Sequence, residues 1–212
     1  GQALTAEKCT PEIVRLLLEK GADPAKVVSE YGKTGFALWQ RLSPECLQAL
    51  LEARAVPAGL RDPAWGTPLL AACARRGAAV RVLLAAGADP GVRDLDGRTS
   101  LLEAARLGSV ASMRALLAAG ADPDATAMDG TTALLQGILA TRQEVIPPLL
   151  AARADPNRPD RQGRTALMLG PKKEFAGGTD IVTEVIRPLL AAGADPNRPE
   201  EAQYLPYGDR LI

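Results

Sequence analysis

Apolar and polar positions along the chain repeat with a fixed period. A Leu-Leu pair, two further residues and then Gly-Ala-Asp-Pro or a close relative occur six times. The pairs begin at Leu17, Leu50, Leu83, Leu116, Leu149 and Leu189, and the first five are 33 residues apart. A period of this length is typical of two short helices and a turn that stack on similar neighbours. The pattern therefore predicts an all-α solenoid whose repeats bury their leucines against one another.

A second block precedes the leucine pairs and predicts how each repeat begins. Glycine and threonine recur in it, followed by leucine, at Gly66-Thr67-Pro68-Leu69, Gly97-Arg98-Thr99-Ser100-Leu101, Gly130-Thr131-Thr132-Ala133-Leu134 and Gly163-Arg164-Thr165-Ala166-Leu167. The glycine suits the end of a tight turn, and the threonine suits the N-cap of a helix. Together the two blocks resemble the ankyrin repeat. The resemblance implies an ankyrin-like solenoid of about six helix-turn-helix repeats with short β-hairpin fingers.

The resemblance extends over nearly the whole chain and predicts one domain over residues 1–212. The predicted repeats are 1–24, 25–57, 58–90, 91–123, 124–156 and 157–196, with a C-terminal cap at 197–212. Where the family carries histidine after Pro-Leu, this chain has Leu70, Leu102, Leu135 and Met168, with Trp39 in the second repeat. We therefore expect apolar contacts between repeats at this position in place of hydrogen bonds.

Three departures from the pattern predict local irregularity. Arg54 and Arg153 replace the glycine that closes the outer helix, so their turns are expected to be strained or rearranged. Prolines at 147, 148 and 188 precede a leucine pair, and we expect those outer helices to start late or kink. Seven additional residues within 171–180 separate the two helices of the last repeat. This insertion is either a functional loop or a tolerated one.

Composition and charge narrow the classes of function. The chain is 47% hydrophobic but only 3% aromatic, as expected for thin helices rich in alanine and leucine. Lysines and arginines number 25, as do aspartates and glutamates, so the basic surface that nucleic-acid binding needs is not expected. No apolar run approaches the ~20 residues of a membrane span. The preference for arginine over lysine suggests a bacterial source. The compartment is then the cytoplasm or, if a leader was removed before Gly1, the periplasm.

Catalytic and cofactor chemistry finds little support in the residues. The chain has no histidine, so Ser-His and Cys-His pairs cannot form. Gly32-Lys33-Thr34 matches the end of a phosphate-binding loop, but Val27 stands where that loop needs its first glycine. Cys73 is expected to pack in the core, whereas Cys9 and Cys46 either stay reduced or pair in an oxidising compartment. We expect no cofactor, no metal and no enzymatic activity.

The predicted binding residues lie in the fingers, along the inner helices and in the insertion. The aromatic candidates come from these places because stacked repeats bury leucine and alanine instead, and Trp39 has packing between repeats as its alternative role. The charged and polar candidates follow the register of the repeats. The full set is Tyr31, Trp39, Trp65, Arg75, Arg76, Asp96, Arg98, Glu103, Arg106, Gln136, Arg161 and Phe175.

The family resemblance implies a non-catalytic module that binds another protein and is a monomer alone. Among such modules, we favour an inhibitor or immunity protein that covers the active cleft of a cognate toxin or enzyme. A host-directed effector or a general scaffold is the alternative within the same class. A nucleotide-binding protein that uses Gly32-Lys33-Thr34 is the alternative from another class.

Overall fold

The structure, a computed structural model, describes residues 10–21, 43–52, 67–73, 77–172 and 180–197. Its α-helices are α1 Pro11–Glu19, α2 Pro44–Glu52, α3 Pro68–Cys73, α4 Gly77–Ala85, α5 Ser100–Leu107, α6 Val110–Ala118, α7 Ala133–Leu139, α8 Ile146–Ala151, α9 Ala166–Leu169 and α10 Arg187–Ala191. Two 3-10 turns lie at Gln143–Val145 and Gly170–Lys172, and a π-helical segment lies at Val182–Ile186.

The helices stack in two rows. The inner row consists of α3, α5, α7 and α9, each in contact with the next. In the outer row α1 contacts α2, α2 contacts α4 and α4 contacts α6, while α8 contacts α10. The 3-10 turn that leads into α8 contacts α6 and completes the row. The all-α solenoid predicted from the 33-residue period is confirmed.

Three turns lead into inner helices, and we call segments 92–99, 125–132 and 158–165 fingers 1, 2 and 3. Each has a glycine with positive φ near its end, at Gly97, Gly130 and Gly163. One antiparallel β-bridge joins Arg93 and Thr99 in finger 1, and the described residues contain no strand. The fingers are therefore tight turns held by few backbone hydrogen bonds.

The repeated leucines form the core between the two rows. The first leucine of four of the pairs is completely buried, at Leu83, Leu116, Leu149 and Leu189. The inner row adds Leu102 and Leu135 from the position of the family histidine, and each is 1% exposed. Full burial of one such side chain stabilises the fold by about 1.5–3 kcal/mol. The predicted apolar contact between repeats is confirmed at these two positions.

Threonine caps begin the inner helices as predicted. The Oγ1 atoms of Thr67, Thr99 and Thr132 accept hydrogen bonds from backbone N–H groups three residues later, at 3.4, 3.5 and 3.3 Å. The side chain of Thr165 makes no such cap at the start of α9. Because a capping bond satisfies one of the otherwise unpaired N–H groups, three of the four starts are fixed locally.

The Gly-Ala-Asp-Pro turns also link successive repeats. The carboxylate of Asp124 accepts from the backbone N–H of Asp155 at 2.8 Å. One repeat further on, the Asn157 side chain accepts from the N–H of Asp195 at 2.7 Å and donates to the carbonyl of Gly193 at 2.8 Å. These bonds join residues more than 30 positions apart, so they fix the spacing of the repeats at the edge of the stack.

Prolines alter the outer helices in two different ways. Before α8 the chain forms a 3-10 turn, and Pro147 and Pro148 occupy the first turn of a helix that starts late. Before α10 the helical turn is wider instead, because the backbone N–H of Arg187 donates to the carbonyl of Val182 in a π-helical pattern. Pro188 has no N–H and cannot continue an α-helical ladder through the preceding turn. The expected irregularity is confirmed in both helices.

Arg153 closes α8 with φ of 64°, in the left-handed region where Gly87, Gly120 and Gly193 close the equivalent helices. The turn therefore keeps its geometry and is strained, as one of the two predicted outcomes. Thr141 also has a positive φ, of 56°, at the position that Gly108 occupies one repeat earlier. Arg54 lies outside the described residues.

Candidate functional site

Finger 1 is held by hydrogen bonds from its own side chains. The Asp94 carboxylate accepts from the backbone N–H groups of Asp96 and Arg98 at 2.9 and 2.8 Å. The Arg93 guanidinium donates to the carbonyl of Gly97 at 2.9 Å and to the carbonyl of Thr126 in finger 2. The finger is therefore shaped before any partner binds, which lowers the entropy cost of binding.

Finger 3 is held by the same kind of aspartate hydrogen bonds as finger 1 and, in addition, by an ion pair. The Asp160 carboxylate accepts from the backbone of Gln162 and Arg164 at 2.9 and 3.0 Å. The Arg164 guanidinium also contacts it, with a Nη2 to Oδ2 distance of 2.7 Å. Since Asp160 is buried, both members of this pair are committed to the structure of finger 3.

Finger 2 uses a different aspartate. Asp129 accepts from the backbone N–H of Thr131 at 2.9 Å, and Ala127 stands where the other fingers have Asp94 and Asp160. Burial raises the pKa of the Asp129 carboxyl, but the hydrogen bonds from Thr131 and the nearby Arg98 charge outweigh it. The pKa of Asp129 therefore lies below its usual range, and the side chain is a carboxylate at neutral pH.

Neighbouring fingers are locked in register by the backbone. The N–H of Met128 donates to the carbonyl of Asp96 at 3.0 Å, and the N–H of Arg161 donates to the carbonyl of Asp129 at 3.0 Å. These bonds are equivalent by the 33-residue period. They place Leu95, Met128 and Arg161 next to one another at successive finger tips.

This tip row contains the main feature that the sequence analysis missed. Leu95 is 72% exposed and Met128 is 60% exposed, the two largest exposed fractions among the large apolar side chains that the structure describes. Neighbouring residues at the tips carry charge or polarity, namely Asp96, Asp129 and Gln162, all of them exposed. Exposed apolar side chains rimmed by charge mark interaction surfaces. Two apolar residues at the same position of consecutive fingers were the sequence signal for it.

The predicted residue Arg98 differs from its repeat equivalent Arg164. The Arg98 side chain is 44% exposed and makes only a long ion pair of 3.9 Å with Asp96. Its charge also contributes to the lowered pKa of Asp129 in finger 2. Arg164 is instead bound to buried Asp160. The predicted residues Asp96, Arg98 and Arg161 therefore share one accessible surface. Arg164 instead stabilises finger 3 through its ion pair with Asp160.

The predicted inner-helix residues lie on α5 and α7. Glu103 and Arg106 form a bidentate ion pair on α5, with Nε to Oε2 at 2.9 Å and Nη2 to Oε1 at 2.6 Å. Gln136 stands one repeat later on α7 and is half-buried. Because α5 and α7 contact each other and follow fingers 1 and 2 directly, these residues continue the finger surface along the inner row.

The other predicted binding residues lie outside the described residues. They are Tyr31, Trp39, Trp65, Arg75, Arg76 and Phe175. The same holds for Gly32-Lys33-Thr34, for Cys9 of the proposed cysteine pair and for most of the insertion, residues 173–179. These predictions stay predictions.

Cys46 and Cys73 are both completely buried. Burial raises the pKa of the Cys73 thiol to about 12, so it is protonated at neutral pH and is a poor nucleophile. Packing as the role of Cys73 is confirmed. Within the described ranges, no group of three metal-ligating side chains is placed to hold an ion. None of the helices described is long and apolar enough to cross a membrane.

The comparisons agree with the geometry. A family model for ankyrin repeats, in three copies, matches residues 35–127. The alternation of fingers, inner helices and outer helices continues beyond that match, through α7 and α8 to α9 and α10. Residues 35–127 therefore belong to the ankyrin-repeat family, whose repeats form protein–protein interaction modules. No curated protein matches the chain.

Proposed function

We propose that the chain is a non-catalytic protein-binding module whose contact surface consists of the finger tips and the inner row. The observation that carries the proposal is the exposure of Leu95 and Met128 at adjacent tips, where charged residues surround them. An apolar centre with a polar rim is the usual anatomy of a protein interface. The hydrogen bonds that fix fingers 1 to 3 hold this surface ready for a partner.

The finer function that we propose is inhibition of a dedicated partner, a toxin or an enzyme whose active cleft the fingers cover. Three points support it. The tips project polar and apolar groups that can enter a cleft, the register between fingers is fixed, and acids and bases are balanced at 25 each. Balanced charge favours a partner of patterned charge over a polyanion. A scaffold that leaves its partner active is the alternative.

The contact surface is tested with a photo-crosslinking amino acid at one of two positions. Position 128 lies at a finger tip, and position 114 is an exposed arginine on outer helix α6. We expect partner capture from position 128 and none from position 114. Capture from position 114 alone would place binding on the outer row and overturn the proposed surface.

The captured partner is then purified for affinity measurements. The double variant Leu95→Ser, Met128→Ser should weaken binding at least about 30-fold, since removal of a hot-spot pair costs about 2 kcal/mol or more. The control Arg114→Ser should bind like the parent. Equal circular dichroism of the three proteins excludes a folding defect, and unchanged affinity of the double variant would contradict the proposal.

A further inference from the structure

The charges of the fingers are distributed unevenly along the stack. Fingers 1 and 2 contain two arginines and three aspartates, whereas finger 3 contains three arginines and one aspartate. Negative charge is therefore in excess at the end of the tip row formed by fingers 1 and 2. Positive charge is in excess at the other end, in finger 3. Leu95 and Met128, the exposed apolar residues, lie at the acidic end beside Asp96 and Asp129.

The structure also decides which of these charges are accessible. At the acidic end Asp96 and Asp129 share one cation, Arg98, which is 3.9 Å from Asp96 and electrostatically coupled to Asp129. At the other end the Asp160–Arg164 pair neutralises itself. Arg161 is exposed at the tip of finger 3 and makes no ion pair within the described part of the chain. Among the described residues, fingers 1 and 2 thus keep one unbalanced negative charge, and finger 3 keeps two unbalanced positive charges, Arg158 and Arg161. The apolar pair lies beside the negative charge.

We infer that the tip row binds an extended protein segment with a basic, an apolar and an acidic side chain at alternate positions. The inference rests on the proposed function and specifies its partner. Alternate residues of an extended chain point to the same side and are about 7 Å apart. The basic group faces Asp96 and Asp129, the apolar group packs on Leu95 and Met128, and the acidic group pairs with Arg161. Opposite charges at the two ends therefore select the partner by charge as well as by hydrophobicity.

Three synthetic peptides test the inference. Each is acetylated and amidated and has leucine at its centre, with Lys-Ser-Leu-Ser-Glu, Lys-Ser-Leu-Ser-Lys or Glu-Ser-Leu-Ser-Glu flanked by glycines. Binding is followed by chemical-shift titration of the nitrogen-15 labelled protein, which detects millimolar affinities and reports the site. We expect Lys-Ser-Leu-Ser-Glu to bind at least about 3-fold tighter than the other two and to shift the amides of residues 95–97, 128–130 and 161–163. The preference should shrink as salt screens the charges.

A charge-reversal variant gives the sharper arm of the experiment. Arg161→Glu should transfer the preference to Lys-Ser-Leu-Ser-Lys, because the third side chain then meets a carboxylate. The control Arg114→Glu makes the same change in net charge on α6 and should keep the parent's order. Equal binding of the three peptides, an unchanged order in Arg161→Glu, or no shift of finger amides would each overturn the inference. The proposed function fails separately, when the photo-crosslinker at position 114 and not that at position 128 captures the partner.

Discussion

At the scale of single residues, two non-glycine residues in the described part of the chain, Arg153 and Thr141, adopt left-handed backbone angles that favour glycine. Arg153 stands in a row of glycines after the leucine pairs, so its left-handed geometry could be expected. Thr141 has φ of 56° and was not predicted, although Gly108 occupies the equivalent place one repeat earlier. The turn after the inner helix varies in sequence from repeat to repeat. The structure was therefore needed to show that the residue at this position has a positive φ.

Replacing Arg153 with glycine should stabilise the protein. A non-glycine residue in the left-handed region costs about 1–2 kcal/mol, and the larger backbone freedom of glycine in the unfolded chain offsets part of that gain. We expect the free energy of unfolding in urea to rise by about 0.5–1 kcal/mol. The control Ala152→Gly, at φ of −82°, should lower it by a similar amount. A loss of stability in Arg153→Gly would show that the arginine side chain contributes more than its backbone costs.

Met128 should also be the methionine most sensitive to oxidation. It is 60% exposed, whereas Met113 is completely buried and Met168 is partly covered. Hydrogen peroxide transfers one oxygen atom to the thioether and leaves as water, and its access to sulfur decides the rate. Peptide mass spectrometry after mild treatment should find the sulfoxide at Met128 first, with helical circular dichroism unchanged. Earlier oxidation of Met113 would contradict the exposed position of finger 2.

At the scale of elements, the sequence predicted that a glycine ends each finger but not what that glycine contacts. A Cβ atom on Gly130 would come within 2.7 Å of the backbone nitrogen of Arg161 in finger 3. At Gly120, which has similar positive φ, a Cβ atom would meet nothing within 4 Å. The first glycine is thus needed for contact between repeats, and the second only for its backbone angle. Such contact could not be read from the motif within one repeat.

The pair Gly130→Ala and Gly120→Ala separates these two effects. Gly120→Ala should cost only the left-handed penalty of about 1–2 kcal/mol. Gly130→Ala should cost at least about 1 kcal/mol more, because its Cβ collides with backbone that cannot rotate away. Urea unfolding of both variants measures the difference. Equal losses would mean that finger 3 can shift without cost and that the register bond of Arg161 is weak.

The outer helices show where prediction of elements reached its limit. Prolines predicted irregularity, but one helix begins after a 3-10 turn and the other after a π-helical segment. The π-helical segment is preceded by Asp180, whose carboxylate accepts from Val182 N–H at 3.1 Å and from the Thr183 hydroxyl at 2.7 Å. The geometry at the start of each outer helix depends on the segment that precedes the helix. In the last repeat the insertion changes that segment.

At the scale of the whole molecule, the 33-residue period predicted the stack, whereas the accessible charge pattern needed three-dimensional contacts. Arg98 and Arg164 occupy the same position of the repeat, but only Arg164 has a buried carboxylate beside it. Sequence alone therefore assigned Asp96, Arg98 and Arg161 to the surface without distinguishing shared charges from unbalanced ones. The exposed leucine and methionine between them were overlooked because apolar residues were assigned to the core.

An enzyme or toxin is the partner that we propose for these fingers. If the tips enter its active cleft, the purified partner should lose activity at one-to-one stoichiometry, and a tight active-site ligand should compete with this chain for binding. An interface of roughly 1,600 Å² or more over several repeats is expected for a dedicated pair. Leu95→Ser, Met128→Ser should restore activity in parallel with its loss of affinity, which also separates inhibition from nonspecific inactivation. Inhibition without competition would indicate an allosteric effect, since linkage then acts from a distant site. A saturated complex that keeps full activity would identify the chain as a scaffold, because occupation of the finger surface would then leave the partner's cleft open.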